Sequence, residues 1–180
     1  MNEVWPGESG YGALTNTETF PESQRPHVEI TPIRPDYATA PLEKSFDWPD
    51  ILRQVRTAYN LPPELRTLYL VVFPSKRLPN ADEGELAWND DRAHREAMLS
   101  PAFLTYFQGE LDDEGNCRSF CLWTDRTEAW EASHGPAHTT AVAITRRMYH
   151  PTAPERYLLH ETEDGGVECE PVERQVPALD

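Results

Sequence analysis

Apolar residues are scattered up to about residue 44 and then organise abruptly. The first 44 positions hold Pro6, Pro21, Pro26, Pro32, Pro35 and Pro41 and keep no sustained apolar period, so they read as an extended or disordered arm. Within it Val28, Ile30 and Ile33 lie between prolines, where an extended strap could dock. From Phe46 the pattern turns helical: Asp47 can cap a short leading helix with Pro49 in its first turn and Ile51, Leu52, Val55 and Tyr59 on one side, ended by Pro62 and Pro63.

The run from Leu68 to Phe73 is apolar at every position and rich in β-formers, the mark of a strand buried on both faces. A connection from Pro74 to Asn89 follows, and Asp90 with Asp91 opens a helix that Pro101 stops. Phe103 to Gln108 and Arg118 to Trp123 form a hairpin about the Asp112 to Asn116 turn cluster. Asp125 with Glu128 three residues on has capping-box spacing and starts a second helix, broken at Gly135 and Pro136 and restarted with Ala137, Ala141, Ile144 and Met148 as its stripe. Arg156 to Glu163 supplies a last strand, and Gly165 and Gly166 lead into a polar tail.

The order β-α-β-β-α-β predicts an α+β domain of ferredoxin-like type, a four-stranded antiparallel sheet with two helices on one face. Its expected extent is residues 45–170, between the arm and a tail at 171–180. Strand side chains alternate, so Phe120 and Leu122 point to one face and Cys121 and Trp123 to the other. Both sets ask for burial. The face away from the helices therefore needs a cover, either a second subunit in a face-to-face homodimer or the proline-rich arm.

Charge narrows the partners. With 31 acidic and 16 basic residues the formal net charge is -15, which repels phosphate backbones and anionic headgroups, so neither nucleic acid nor a membrane is an expected partner. No stretch of about 18 apolar residues occurs, and the first residues lack the basic start and apolar run of a secretory signal. Three cysteines, an odd number, suit a reducing compartment; the cytoplasm is expected, with the nucleus also open to the chain. Cys117 and Cys121 fall on one strand about 13 Å apart, too far for a disulfide or one shared ion.

The segments YLVVFPSK at 69–76, SFCLWTDRTEAWEAS at 119–133 and GPAH at 135–138 together resemble the dimeric α/β-barrel superfamily, in its antibiotic-biosynthesis-monooxygenase-type branch. More narrowly, the core is similar to a group of short fungal and bacterial proteins with no activity attached. The resemblance implies a ferredoxin-like fold, a homodimer and a superfamily that spans cofactor-free monooxygenases, isomerases, cyclases and haem-degrading enzymes. The haem-degrading pattern needs an Asn on the first strand, and Leu68 to Phe73 contains none.

Candidate chemistry is thin. His138, in the first turn of the restarted helix, is the candidate base. Tyr106, Trp123 and Trp130, with Phe107, form an aromatic group able to line a pocket for a flat ligand, although core packing explains such a group as well. Lys76 and Arg77 could draw a carboxylate or phosphate to a pocket mouth, and His160 could face the same cavity; ordinary surface and structural roles compete for all three. His134 and His138 are split by the Gly135-Pro136 break, which removes the alignment a zinc pair needs, so no metal and no cofactor is expected. Phosphate-loop, Gly-x-Ser-x-Gly and His-Glu-x-x-His motifs are absent. Two functions stay open: a small-molecule protein with oxygenase-like or isomerase-like chemistry, and a non-catalytic interaction module.

Overall fold

The computed structural model describes residues 25–172; residues 1–24 of the expected arm and 173–180 of the expected tail lie outside the described residues. In chain order the elements are α1 (Trp48–Tyr59), β1 (Thr67–Lys76), α2 (Glu83–Ala97), β2 (Phe103–Phe107), β3 (Asn116–Trp123), α3 (Arg126–Ala132), α4 (Pro136–Met148), β4 (Glu155–Glu161) and β5 (Val167–Pro171). Caps match local chemistry. Asp47 accepts from Asp50 N at 3.1 Å and Asp125 from Glu128 N at 2.8 Å, and Asn60 ends α1 in the left-handed region at φ 48°.

The sheet runs β2-β3-β1-β4-β5 with every neighbouring pair antiparallel. Its first four strands have the ferredoxin-like order, and the fold is α+β of that type. Two elements correct the sequence reading. α2 begins at Glu83 rather than Asp90, because Asp82 accepts from Glu85 N at 2.9 Å and so caps the helix eight residues earlier. The sheet has five strands rather than four, because the chain turns back at Thr162 to Gly166, with Gly165 at φ 84°, and pairs Val167–Pro171 with β4. In β5 the residues that pack inward, Val167 and Cys169, alternate with Glu168 and Glu170, and that polarity disguised the strand as tail.

Each face of the sheet has its own core. On one side Tyr69, Phe103, Cys121 and Trp123 pack with Ala97 of α2 and Ala129 of α3, while α4 joins through Ile144 and Met148 against Leu86. On the other, Leu70, Val72, Phe120, Leu122 and Leu159 are fully buried beneath α1 and residues 28–46. The cover that the sequence left open between a partner and the arm is thus the chain's own α1 with the segment that precedes it.

That layer is held by directed bonds as well as by apolar contact. Arg118, 8% exposed, donates to the Tyr37 and Ala40 carbonyls at 2.7 and 2.6 Å. The Arg56 Nε donates to both oxygens of Glu161 at 2.8 and 2.7 Å, tying α1 to β4. Phe46 sits edge-on to Phe120 at 5.1 Å. Trp48, Ile51, Leu52 and Val55 are all buried, each worth roughly 1.5–3 kcal/mol against exposure. A face-to-face homodimer through this side of the sheet finds no free surface, since a second copy would have to displace α1 and forfeit that burial.

Candidate functional site

The titratable groups that gather do so on the helical face, at the junction of β2, α2 and α4. The register of β2 slips between Phe103 and Thr105, so Phe103 lies opposite Trp123 while Tyr106, three residues on, lies opposite Cys121. Strict alternation would send Tyr106 to the α1 side; the irregularity returns it to the helical face. There its hydroxyl donates to Asp90 Oδ1 at 3.0 Å.

Asp90 stands in mid-helix on α2, a consequence of the early start at Glu83. His94, one turn on, brings its ring within 5.1 Å of the Tyr106 ring and 5.6 Å of Phe103. Burial pushes the Asp90 carboxyl above the ordinary aspartate range, against the Tyr106 hydrogen bond and the nearby His94 and His138, which pull it down. Burial, and then the Asp90 charge, push the Tyr106 phenol well above its ordinary value. The result is a carboxyl raised by burial and bonded to a phenol raised further, with His94 and His138 near enough to lower the carboxyl when they are protonated.

His138 is positioned by Glu96, the next inward carboxylate on α2. Glu96 accepts from Ala137 N at 3.0 Å, His138 N at 2.9 Å and His138 Nδ1 at 2.8 Å, so one side chain caps α4 and fixes the imidazole. The approach needs glycine: a β-carbon at Gly135 would stand 2.3 Å from Glu96 Cδ. Burial alone would raise the Glu96 carboxyl, but the two backbone N–H groups and His138 outweigh it and hold the group below the ordinary glutamate range. Because its folded value is depressed, its contribution is full above the ordinary value of 4.5 and is lost as acid protonates it. Glu96→Gln is therefore expected to cost about 1 kcal/mol at pH 7. In urea titrations that deficit should shrink below pH 4; a deficit that is constant with pH would contradict the capping role.

The remaining sequence candidates are dispersed. Trp123 is 2% exposed, donates Nε1 to Cys121 Sγ at 3.0 Å and meets Phe103 edge-on at 5.1 Å, which makes it core behind the cluster rather than a pocket wall. Trp130 is 60% exposed on α3 and lies against the His134 ring at 4.3 Å. Lys76 and Arg77 stand at the other end of α4, where Arg77 bridges to Tyr149, eleven residues or about 16 Å along from His138, and bonds Glu83 at 2.8 Å. His160 bonds Thr67 Oγ1 at 2.9 Å and Glu170 at 2.8 Å, about 13 Å along the sheet from the Tyr106 level. Of the predicted set, the structure brings together Tyr106 and His138 and leaves the others apart.

Asp90, His94 and Glu96 complete the cluster. The readable signal was Asp82 with Glu85 three residues on, a capping box that would have set Asp90 and Glu96 inside one helix. Beside the cluster the helices leave part of the sheet uncovered: Val71 is half-buried and Phe73 is 36% exposed, two strands over from Tyr106 or about 10 Å away. They form an apolar shelf on the helical face of the sheet. Among the described residues no group of three or more His, Cys, Asp or Glu is placed to hold a metal ion, and no helix is long and apolar enough to cross a membrane.

A family model described as PB2B2.08-like matches residues 22–172. No curated protein matches. Among solved structures the chain is similar to SnoaB, a cofactor-independent oxygenase from Streptomyces nogalater, at 15% identity over 54% of this chain and 95% of that one, with a TM-score of 0.42. It is also similar to a conserved protein from Methanosarcina mazei (11% identity, 55% and 97% coverage, TM-score 0.45). A third is a Nitrosomonas europaea protein named as an antibiotic-biosynthesis-monooxygenase candidate (9% identity, 56% and 95% coverage, TM-score 0.44). The likeness read from residues 69–138 is the one these structures return, and nothing about chemistry passes from them to this chain.

Proposed function

This chain belongs to the PB2B2.08-like family, and we propose that it binds a small apolar or aromatic molecule on the Val71–Phe73 shelf and moves a proton on it with Asp90. The observation that carries this reading is the half-buried Asp90–Tyr106 pair at 3.0 Å, a carboxyl raised by burial and held by a phenol that stays protonated. Asp90 is the base, Tyr106 the donor that orients it, and His94 and His138 the groups that tune its charge. An isomerase-like or cofactor-free oxygenase-like reaction asks no more of the protein than a base and a hydrogen-bond donor. The three free thiols suit a reducing cytoplasm.

The test is native mass spectrometry of the freshly purified full chain, followed by transfer of any retained molecule into D2O. Retention with uptake of carbon-bound deuterium supports the reading. Retention without uptake in the wild type, or a chain that comes through empty after expression in cells of several kinds, overturns it.

A second reading has its own observation. Trp88 and Trp130 are 64% and 60% exposed on the outer faces of α2 and α3. A non-catalytic module, including a homodimer joined through these helices rather than through the sheet, would use such anchors. Sedimentation that stays monomeric at high concentration removes the homodimer.

A further inference from the structure

The two edges of the sheet are finished differently. On the β2 edge, the Phe103 carbonyl accepts from Arg25 Nη1 at 2.9 Å and the Leu104 carbonyl accepts from the Tyr59 hydroxyl, so the N-terminal layer closes it. On the β5 edge the ladder bonds flank the strand: Thr162 N donates to Gly166 O at 3.0 Å and Val172 N to Arg156 O at 2.8 Å. With the pairing of β4 and β5 this places the bonded pairs at Gly166, Glu168, Glu170 and Val172. The backbone N–H and C=O groups of Val167 and Cys169 therefore point outward, and no hydrogen bond among the described residues engages them.

From this asymmetry we infer that the β5 edge is a docking strand for an extended basic peptide, which adds to the sheet by main-chain bonding to Val167 and Cys169. Pro171 has no N–H and limits the added ladder to those two residues. Charge selects the occupant. Glu168 and Glu170 are exposed on one side of the strand, and Glu43 stands near Cys169 on the other. These residues, with His160 and Val167, line an open depression of about 600 Å³ along the strand. An incoming strand with Lys or Arg at alternate positions matches the two glutamates, and the intervening side chains meet Val167 and Cys169. A second copy of the chain does not fit, because antiparallel pairing of two β5 strands would set glutamates against glutamates. The same charges that protect a bare edge from indiscriminate pairing thus leave it open to one class of partner.

The probe is a fluorescein-labelled Lys-Val-Lys-Val-Lys-Val peptide, titrated with the full chain in anisotropy at low salt, with a Glu-Val repeat and an alternately N-methylated Lys-Val repeat beside it. Binding of the basic peptide alone, at least about tenfold weaker after N-methylation, supports the inference. So does slowed amide exchange at Val167 and Cys169 in the complex. The double variant Glu168→Lys with Glu170→Lys should reverse the preference toward the acidic peptide. No binding, equal binding of the N-methylated probe, or a preference unmoved by the double variant overturns it.

Discussion

Replacing Arg118 with Met is expected to lower stability by about 3 kcal/mol, seen as a drop in the urea midpoint with little change in slope. Its guanidinium bonds the Tyr37 and Ala40 carbonyls across the sheet face, and burial lowers its pKa, a sign that the charge is held at a cost. Exchanging a buried ion pair for apolar side chains is often neutral because both partners go together. Here the partners are backbone carbonyls that stay where they are, so Met leaves two buried acceptors without donors. Hydrogen exchange should quicken first in residues 33–45, the part of the layer that the guanidinium secures. A loss below about 1 kcal/mol would show that apolar burial alone keeps the layer in place.

Asp90→Asn is expected to do two things at once. Asparagine can still accept from the Tyr106 hydroxyl, so the local geometry survives, but it cannot take up a proton. Deuterium uptake into a retained molecule should fall by about a hundredfold or more, the scale of a lost general base. Stability should move the other way. Because burial raises the Asp90 pKa in the folded chain, the wild type is most favoured while the carboxyl is protonated and loses that advantage as pH climbs through the folded value. At pH 7 the variant should therefore be the more stable by about 1 kcal/mol, a gap that closes on acidification. Melting curves from pH 4 to pH 8 check this, and a variant less stable at every pH would make Asp90 a structural residue.

The strongly apolar and strongly capped parts of the chain were readable from sequence. Leu68 to Phe73 could only be a strand, although its helical face is fully buried only at Tyr69, and Asp47 and Asp125 announced the helices that they begin. What escaped was set by pairing rather than by pattern. β5 alternates acidic with half-buried residues and becomes a strand through its bonds to β4. Tyr106 reaches the cluster by a slip in register that no local property of its neighbours dictates. His138 was visible as a helix-start histidine, but its partner Glu96 lies forty-two residues earlier, on a helix whose start was misplaced by seven residues. A cluster assembled from two helices and a bulged strand has no compact sequence signature.

The bond between Arg56 and Glu161 spans 105 residues of chain. During synthesis, then, α1 is finished long before β4, and at about 5–20 residues per second the gap lasts roughly 5–20 s. Throughout it the stripe of Trp48, Ile51, Leu52 and Val55 has only an incomplete sheet to settle on. The nascent chain is most exposed to chaperones and to self-association in that interval, and the helix made first is among the last to find its place.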